Sequence, residues 1–341
     1  MRRGVHLQLQ KLFLVSSAVF VLTSCNTLET RHEANPTSVL NVHDKKPKPG
    51  STAPSTTQNS PVVVLPPPTP QQITGAPVAP VEISLPKESP RVGIILGPGG
   101  MRTFAHIGVL KEFARARIPV NYVVGLEWGA VMGGLYAMQG QVNELEFKAM
   151  RIRESDVPGK GFLGSRIKPE QVSVFSDFLN QAFGANLFEK AKVDFACPTY
   201  NTSQERLVFL GKGSLRDGIS KCIPYPPYFT ENRSYVAAPF DVEEAAAFLR
   251  ARNINLVIFV NVMSGEVFPK ALRGEYEVEQ VLMSQLQREL SRPKIAGVNQ
   301  IIQVNTNNTS IIDFEARRNL IEQGSTSAKD VVNKLVNQYG F

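Results

Sequence analysis

Two glycine-framed turns hold the residues with the clearest chemical potential. The first reads Leu96-Gly97-Pro98-Gly99-Gly100-Met101-Arg102-Thr103, the second Gly125-Leu126-Glu127-Trp128-Gly129. Each follows a short apolar run and opens onto a helical pattern, so each should aim backbone N–H groups from a helix start, where negative charge is favoured. A side chain projecting between two glycines is how a strand-to-helix elbow exposes a nucleophile. Acyl transfer at such an elbow also needs N–H donors for the developing oxyanion and a base. Here the projecting residue is Glu127. A carboxylate attacking an ester carbonyl gives an intermediate that can expel a carboxylate, pKa about 4.3, or an alkoxide whose acid is nearer water, about 15.7. It collapses backwards. Carboxylates do serve as nucleophiles at glycosidic carbon or phosphorus. For Glu127 three other roles stand open: a general base on water, an acid stabilising the next helix by about 0.3–1 kcal/mol, or an internal anion folded into the first turn.

With the helices that follow them, Ala105-His106-Ile107-Gly108-Val109-Leu110 and Gly129-Ala130-Val131-Met132-Gly133-Gly134-Leu135-Tyr136-Ala137, the two turns resemble the opening motifs of patatin-like phospholipases. Weaker similarity continues through Gly213-Ser214-Leu215, Ile223-Pro224, Pro227-Tyr228-Phe229 and Ile312-Asp313-Phe314. The resemblance implies a lipid acyl hydrolase with a serine–aspartate dyad, an oxyanion loop and no catalytic histidine. Carried over residue by residue, Gly99, Gly100 and Arg102 keep the oxyanion loop, while Pro98 replaces a glycine and has no N–H and Thr103 replaces another. Gly125 and Gly129 keep the elbow, and Glu127 stands at the serine position. No other Gly-x-Ser-x-Gly occurs; Gly218-Ile219-Ser220-Lys221-Cys222 ends in cysteine. For the family's Asp-Gly-Gly, anchoring on Tyr235 gives Ala237 and counting back from Pro239 gives Glu231. Losing one oxyanion donor costs about 10²–10³ in rate, and losing the nucleophile on the order of 10⁶. The expected product is a catalytically inactive, degenerate hydrolase that binds a lipid or an envelope protein. The competing expectation is a working lipid acyl hydrolase. His106 falls at a structural position, and Trp128, Tyr225, Tyr228 and Phe229 read as core or pocket wall.

These turns need a scaffold. Strands are expected at Val92–Leu96, Val120–Val124, Phe195–Cys197, Leu207–Leu210, Leu256–Val262 and Gln300–Val304. Helices are expected at Phe104–Ala116, Ala130–Met138, Val172–Ala182, Asp241–Arg252 and Phe314–Gln323. Alternation of this kind predicts a three-layer α/β/α fold with a mainly parallel central sheet, spanning residues 91–341.

The preceding residues read as address and tether. Arg2, Arg3 and Lys11 flank an apolar run, Leu12 to Leu22, too short for the ~20 residues of a membrane span, and the run ends in Leu22-Thr23-Ser24-Cys25. That ending resembles the lipobox of bacterial lipoproteins, which implies a signal peptide over 1–24, lipidation of Cys25 and, with Asn26 following, anchorage to the outer membrane. Between residues 31 and 90 lie 13 of the 24 prolines, a composition unable to bury enough apolar surface to order itself. Residues 25–90 therefore read as a lipidated cysteine on a disordered tether.

Composition narrows the rest. The chain has 37 Lys+Arg against 30 Asp+Glu in 341 residues, a formal +7, and removal of residues 1–24 leaves 34 against 30. With that surplus spread along the chain, nothing points to nucleic acid. Of four histidines only His106 lies beyond residue 90. No metal site or cofactor is expected. Cys197 and Cys222 are either a disulfide, which export would permit, or two buried thiols.

Overall fold

The computed structural model describes residues 89–156, 169–224, 234–265, 277–306, 309–311 and 313–341. Cys25, the tether, Tyr225, Tyr228, Phe229, Glu231 and Ile312 lie outside them.

Among the described residues seven strands form one sheet: β1 (Val92–Leu96), β2 (Tyr122–Gly125), β3 (Asp194–Asn201), β4 (Arg206–Leu210), β5 (Tyr235–Ala237), β6 (Leu256–Asn261) and β7 (Gln300–Gln303). Their order is β4-β3-β2-β1-β6-β7, with β5 also paired to β3. β1 runs parallel to β2 on one side and to β6 on the other, β2 parallel to β3, and β6 parallel to β7. β4 and β5 are antiparallel to the second half of β3. The central strands are buried at every position, as a sheet covered on both faces requires. Val92, Ile94 and Leu96 point into one core with Leu256, Ile258 and Val260; Ile95 points into the other with Val257 and Phe259. The three-layer fold expected from the alternation is the one observed.

Among the described residues eight α-helices flank the sheet: α1 (Ala105–Arg115), α2 (Gly129–Gln139), α3 (Val142–Ala149), α4 (Pro169–Phe183), α5 (Leu215–Cys222), α6 (Val242–Arg250), α7 (Glu277–Leu290) and α8 (Arg317–Tyr339). α1, α2 and α8 pack on the first core, α6 and α7 on the second. α3, α5, α7 and β5 extend beyond the elements expected above, and α8 runs sixteen residues past Gln323. Cys197 and Cys222 form a disulfide joining β3 to the end of α5, with their α-carbons 6.1 Å apart.

Because β1 and β2 pair in parallel, the chain leaves their carboxyl ends in adjacent turns, and with β6 on the other side of β1 the strand order reverses there. Crevices at such a reversal of strand order are where open α/β sheets bind ligands.

Candidate functional site

The two glycine-framed turns meet at that crevice. Leu126 N–H donates to Leu96 O at 2.9 Å, tying the second turn to the end of β1. The elbow is tight because a Cβ at Gly125 would strike the Ala130 backbone, and one at Gly129 the Leu96 carbonyl. Glu127 at its tip has φ +51°, a left-handed conformation that costs a residue with a Cβ about 1–2 kcal/mol. The strained geometry of a nucleophile elbow is therefore present, with a carboxylate on it.

That carboxylate turns toward the first loop. Gly99 N–H donates to Glu127 Oε2 at 3.1 Å. Burial raises the Glu127 carboxyl to about 7, against the opposing pull of the Trp128, Gly99 and Gly100 amides. Trp128, buried at 1% exposure, opens α2 as its N-cap residue, so Glu127 sits at that helix start as well as against the loop. Two of the roles left open by the sequence, helix-start acid and internal anion, share one geometry.

The loop is clamped from elsewhere in the chain. Gly99 and Gly100 have φ of +151° and +54°. Arg102 is fully buried, and its guanidinium donates to Thr309 O at 2.8 Å and to Ser264 O at 2.5 Å; burial lowers it to about 10. Met101 N–H donates to Ile311 O at 2.8 Å. Thr103 closes the loop on itself, its hydroxyl donating to Gly100 O at 2.6 Å. His106, fully buried, has Nε2 2.9 Å from Gly97 O, and burial lowers it to about 4. Neutral at pH 7, its Nε2–H donates to that carbonyl, and it braces the loop from α1.

The loop's supports at Ser264, Thr309 and Ile311 were not among the candidate residues read from the sequence. The faint signal for them is the run of small hydroxyl residues after β6 and β7, where Ser264 and Thr306 also bond Val304 O and Val262 O.

No carboxylate takes the dyad position in the Tyr235 register. Ala237 lies buried on β5, opposite Thr199 of β3, and its N–H donates to Pro224 O. Asp241 precedes α6 without capping it through its side chain; burial and the Glu244 charge raise its carboxyl. Among the described residues no group of three or more His, Cys, Asp or Glu is placed to hold a metal ion.

Together the sheet order, the elbow and the glycine loop define an α/β fold with a mainly parallel central sheet. Residues 94–247 match the family model described as "Patatin-like phospholipase". "Lysophospholipase nte1" of Emericella nidulans is 27% identical over 188 residues, 51% of this chain and 12% of that protein. "Lysophospholipase NTE1" of Coccidioides immitis is 27% identical over 179 residues, 50% of this chain and 11% of that protein. The matches thus span about an eighth or less of these relatives. The crystal structure of VipD from Legionella pneumophila aligns with TM-score 0.42 and 8% identity over 74% of this chain and 67% of that chain.

Proposed function

We propose that the protein is a lipid-anchored envelope lipoprotein whose patatin-like domain no longer hydrolyses esters and instead binds lipid or an envelope protein. One observation carries the loss of hydrolysis: the elbow residue is Glu127, and its carboxylate already accepts the Gly99 N–H that would otherwise await a substrate oxyanion. A substrate carbonyl would have to displace that bond and would find no hydroxyl or thiol at the elbow. The anchoring part rests on Cys25 and its flanking residues. The Cys197–Cys222 disulfide supports export, since such bonds persist in oxidising compartments.

A working lipid acyl hydrolase is the second reading, favoured by the phospholipase family match and by the lysophospholipase names of the relatives. A sensitive assay of the purified chain on lysophosphatidylcholine and a short-chain p-nitrophenyl ester separates the two. Release no faster than buffer supports the first reading; saturable turnover overturns it. For anchorage, Cys25→Ala protein that has lost its signal should appear in the soluble fraction, and its retention on membranes would refute the lipidation.

A further inference from the structure

A groove of about 750 Å³ crosses the outer surface where α1, α3 and the first half of α8 meet. It begins at Lys111, about 9 Å along α1 from Ala105, so it is separate from the elbow. Four cations line it: Lys111, Arg115, Arg151 and Arg318. Two are already engaged. Lys111 Nζ lies 2.7 Å from Glu146 Oε2. Arg115 donates to Glu112 Oε1 at 2.5 Å, and buried Glu112 also accepts the Ser325 hydroxyl. Among the described residues Arg151 and Arg318 form no ion pair, and Glu322, the remaining carboxylate of the groove, is exposed one turn of α8 from Arg318.

Beside these guanidiniums stands Phe147, 55% exposed, with the Arg151 guanidinium 4.0 Å from its ring centre. Met150 and Ile321 continue the apolar surface. The segment is held firmly. Arg317 donates to the carbonyls of Met150 at 3.2 Å and Ile152 at 2.8 Å, locking the end of α3 to the start of α8.

We propose that this groove docks the domain on a bilayer containing anionic phospholipid, with Arg151 and Arg318 taking the lipid phosphates and Phe147 entering the headgroup–acyl boundary. Guanidinium forks match phosphate oxygens in pairs. An aromatic ring at the interface adds apolar burial to that attraction. Phe147 protrudes beside an open groove instead of lying within a recess, which fits an extended surface better than a small solute or a peptide.

The test is co-sedimentation of the full-length chain carrying Cys25→Ala, so that no covalent lipid contributes. Vesicles of phosphatidylethanolamine with phosphatidylglycerol are compared with vesicles of phosphatidylcholine alone. Stronger, salt-sensitive binding to the anionic vesicles is expected, falling roughly fivefold for each of Arg151→Gln and Arg318→Gln and further with Phe147→Ser. The apolar run Leu12 to Leu22 is common to all variants and cannot produce those differences. Circular dichroism confirms that each variant is folded. Equal binding to both vesicle types, or unchanged binding in all three variants, overturns the proposal, as does binding of glycerol phosphate or of a glutamate-rich peptide that competes fully with the vesicles. None of these readouts depends on lipidation or on ester turnover, so failure here leaves the preceding reading standing.

Discussion

Gly108 of α1 and Gly324 of α8 mark a crossing at which each helix runs against the other's backbone. A Cβ on Gly108 would strike the Ile321 carbonyl, and one on Gly324 the Ala105 carbonyl. Neither obstacle is a side chain that can swing away. Gly108→Ala and Gly324→Ala are therefore each expected to destabilise the domain by about 1–3 kcal/mol, the usual cost of overpacking, although alanine is the better helix former. Urea unfolding of the two variants checks this, and an unchanged or higher midpoint would contradict the close crossing.

On the proposed reading, a serine at the elbow should not by itself bring ester hydrolysis. Glu127→Ser supplies a hydroxyl at the elbow, but in the Tyr235 register the place of a base is filled by Ala237 of β5. The expected ester turnover of Glu127→Ser is indistinguishable from background. Turnover well above background would mean that Glu231 or Asp241 acts as the base.

The pH dependence of stability should come from two groups of opposite sign, the fully buried His106 and the partly buried Glu127. Glu127 has a folded pKa near 7 against 4.5 in the unfolded chain. The folded state binds the extra proton, so this contribution is full below about 4.5 and is lost as pH rises through 7. His106 has a folded pKa near 4 against 6.5. Its contribution is present above 6.5 and lost as pH falls through 4. Between about 4.5 and 6.5 the two slopes oppose each other. Glu127→Gln removes one of them, so the variant should gain stability relative to wild type as pH rises from 4.5 to 7. Denaturation midpoints at several pH values read this directly, and a constant difference would show that Glu127 ionises as freely as in the unfolded chain.

The disulfide gives a further expectation. Cys197 and Cys222 are both fully buried and are separated by 25 positions. Closing a loop of this length is worth roughly 3 kcal/mol. Unfolding midpoints should fall by a corresponding amount in dithiothreitol or in Cys197→Ala/Cys222→Ala. Equal midpoints with and without reductant would mean that the bond adds nothing.

Much of this architecture was legible where the signal is local. Val92–Leu96 matches β1, and α1 and α2 fall within a residue or so of the expected helices, because apolar runs, glycine turns and helical spacing lie within a few positions of one another. Glu127 was legible as an intruder at the elbow, yet its left-handed backbone came only with the structure. α8 extends through Ala328, Val332 and Leu335, whereas the expected helix stops before Gly324. A glycine reads as a helix terminus until its contact with Ala105, more than two hundred positions away, gives it a packing reason. Arg102 was legible as a loop residue but not as a clamp. Its partners are main-chain carbonyls of Ser264 and Thr309, which carry no side-chain signature. β5 has three residues and exists through pairing with β3, which no local pattern announces.

The Arg102 clamp also sets an order of events. The glycine-rich loop begins at residue 99, but carbonyls at 264, 309 and 311 hold it in shape. A chain emerging amino end first makes the loop early and its supports late. The elbow can form once β1, β2 and α2 have been made; the loop facing it gains its final hydrogen bonds only after Thr309 and Ile311 have followed. In a polypeptide threaded across a membrane before folding, this crevice would be among the last places to take shape.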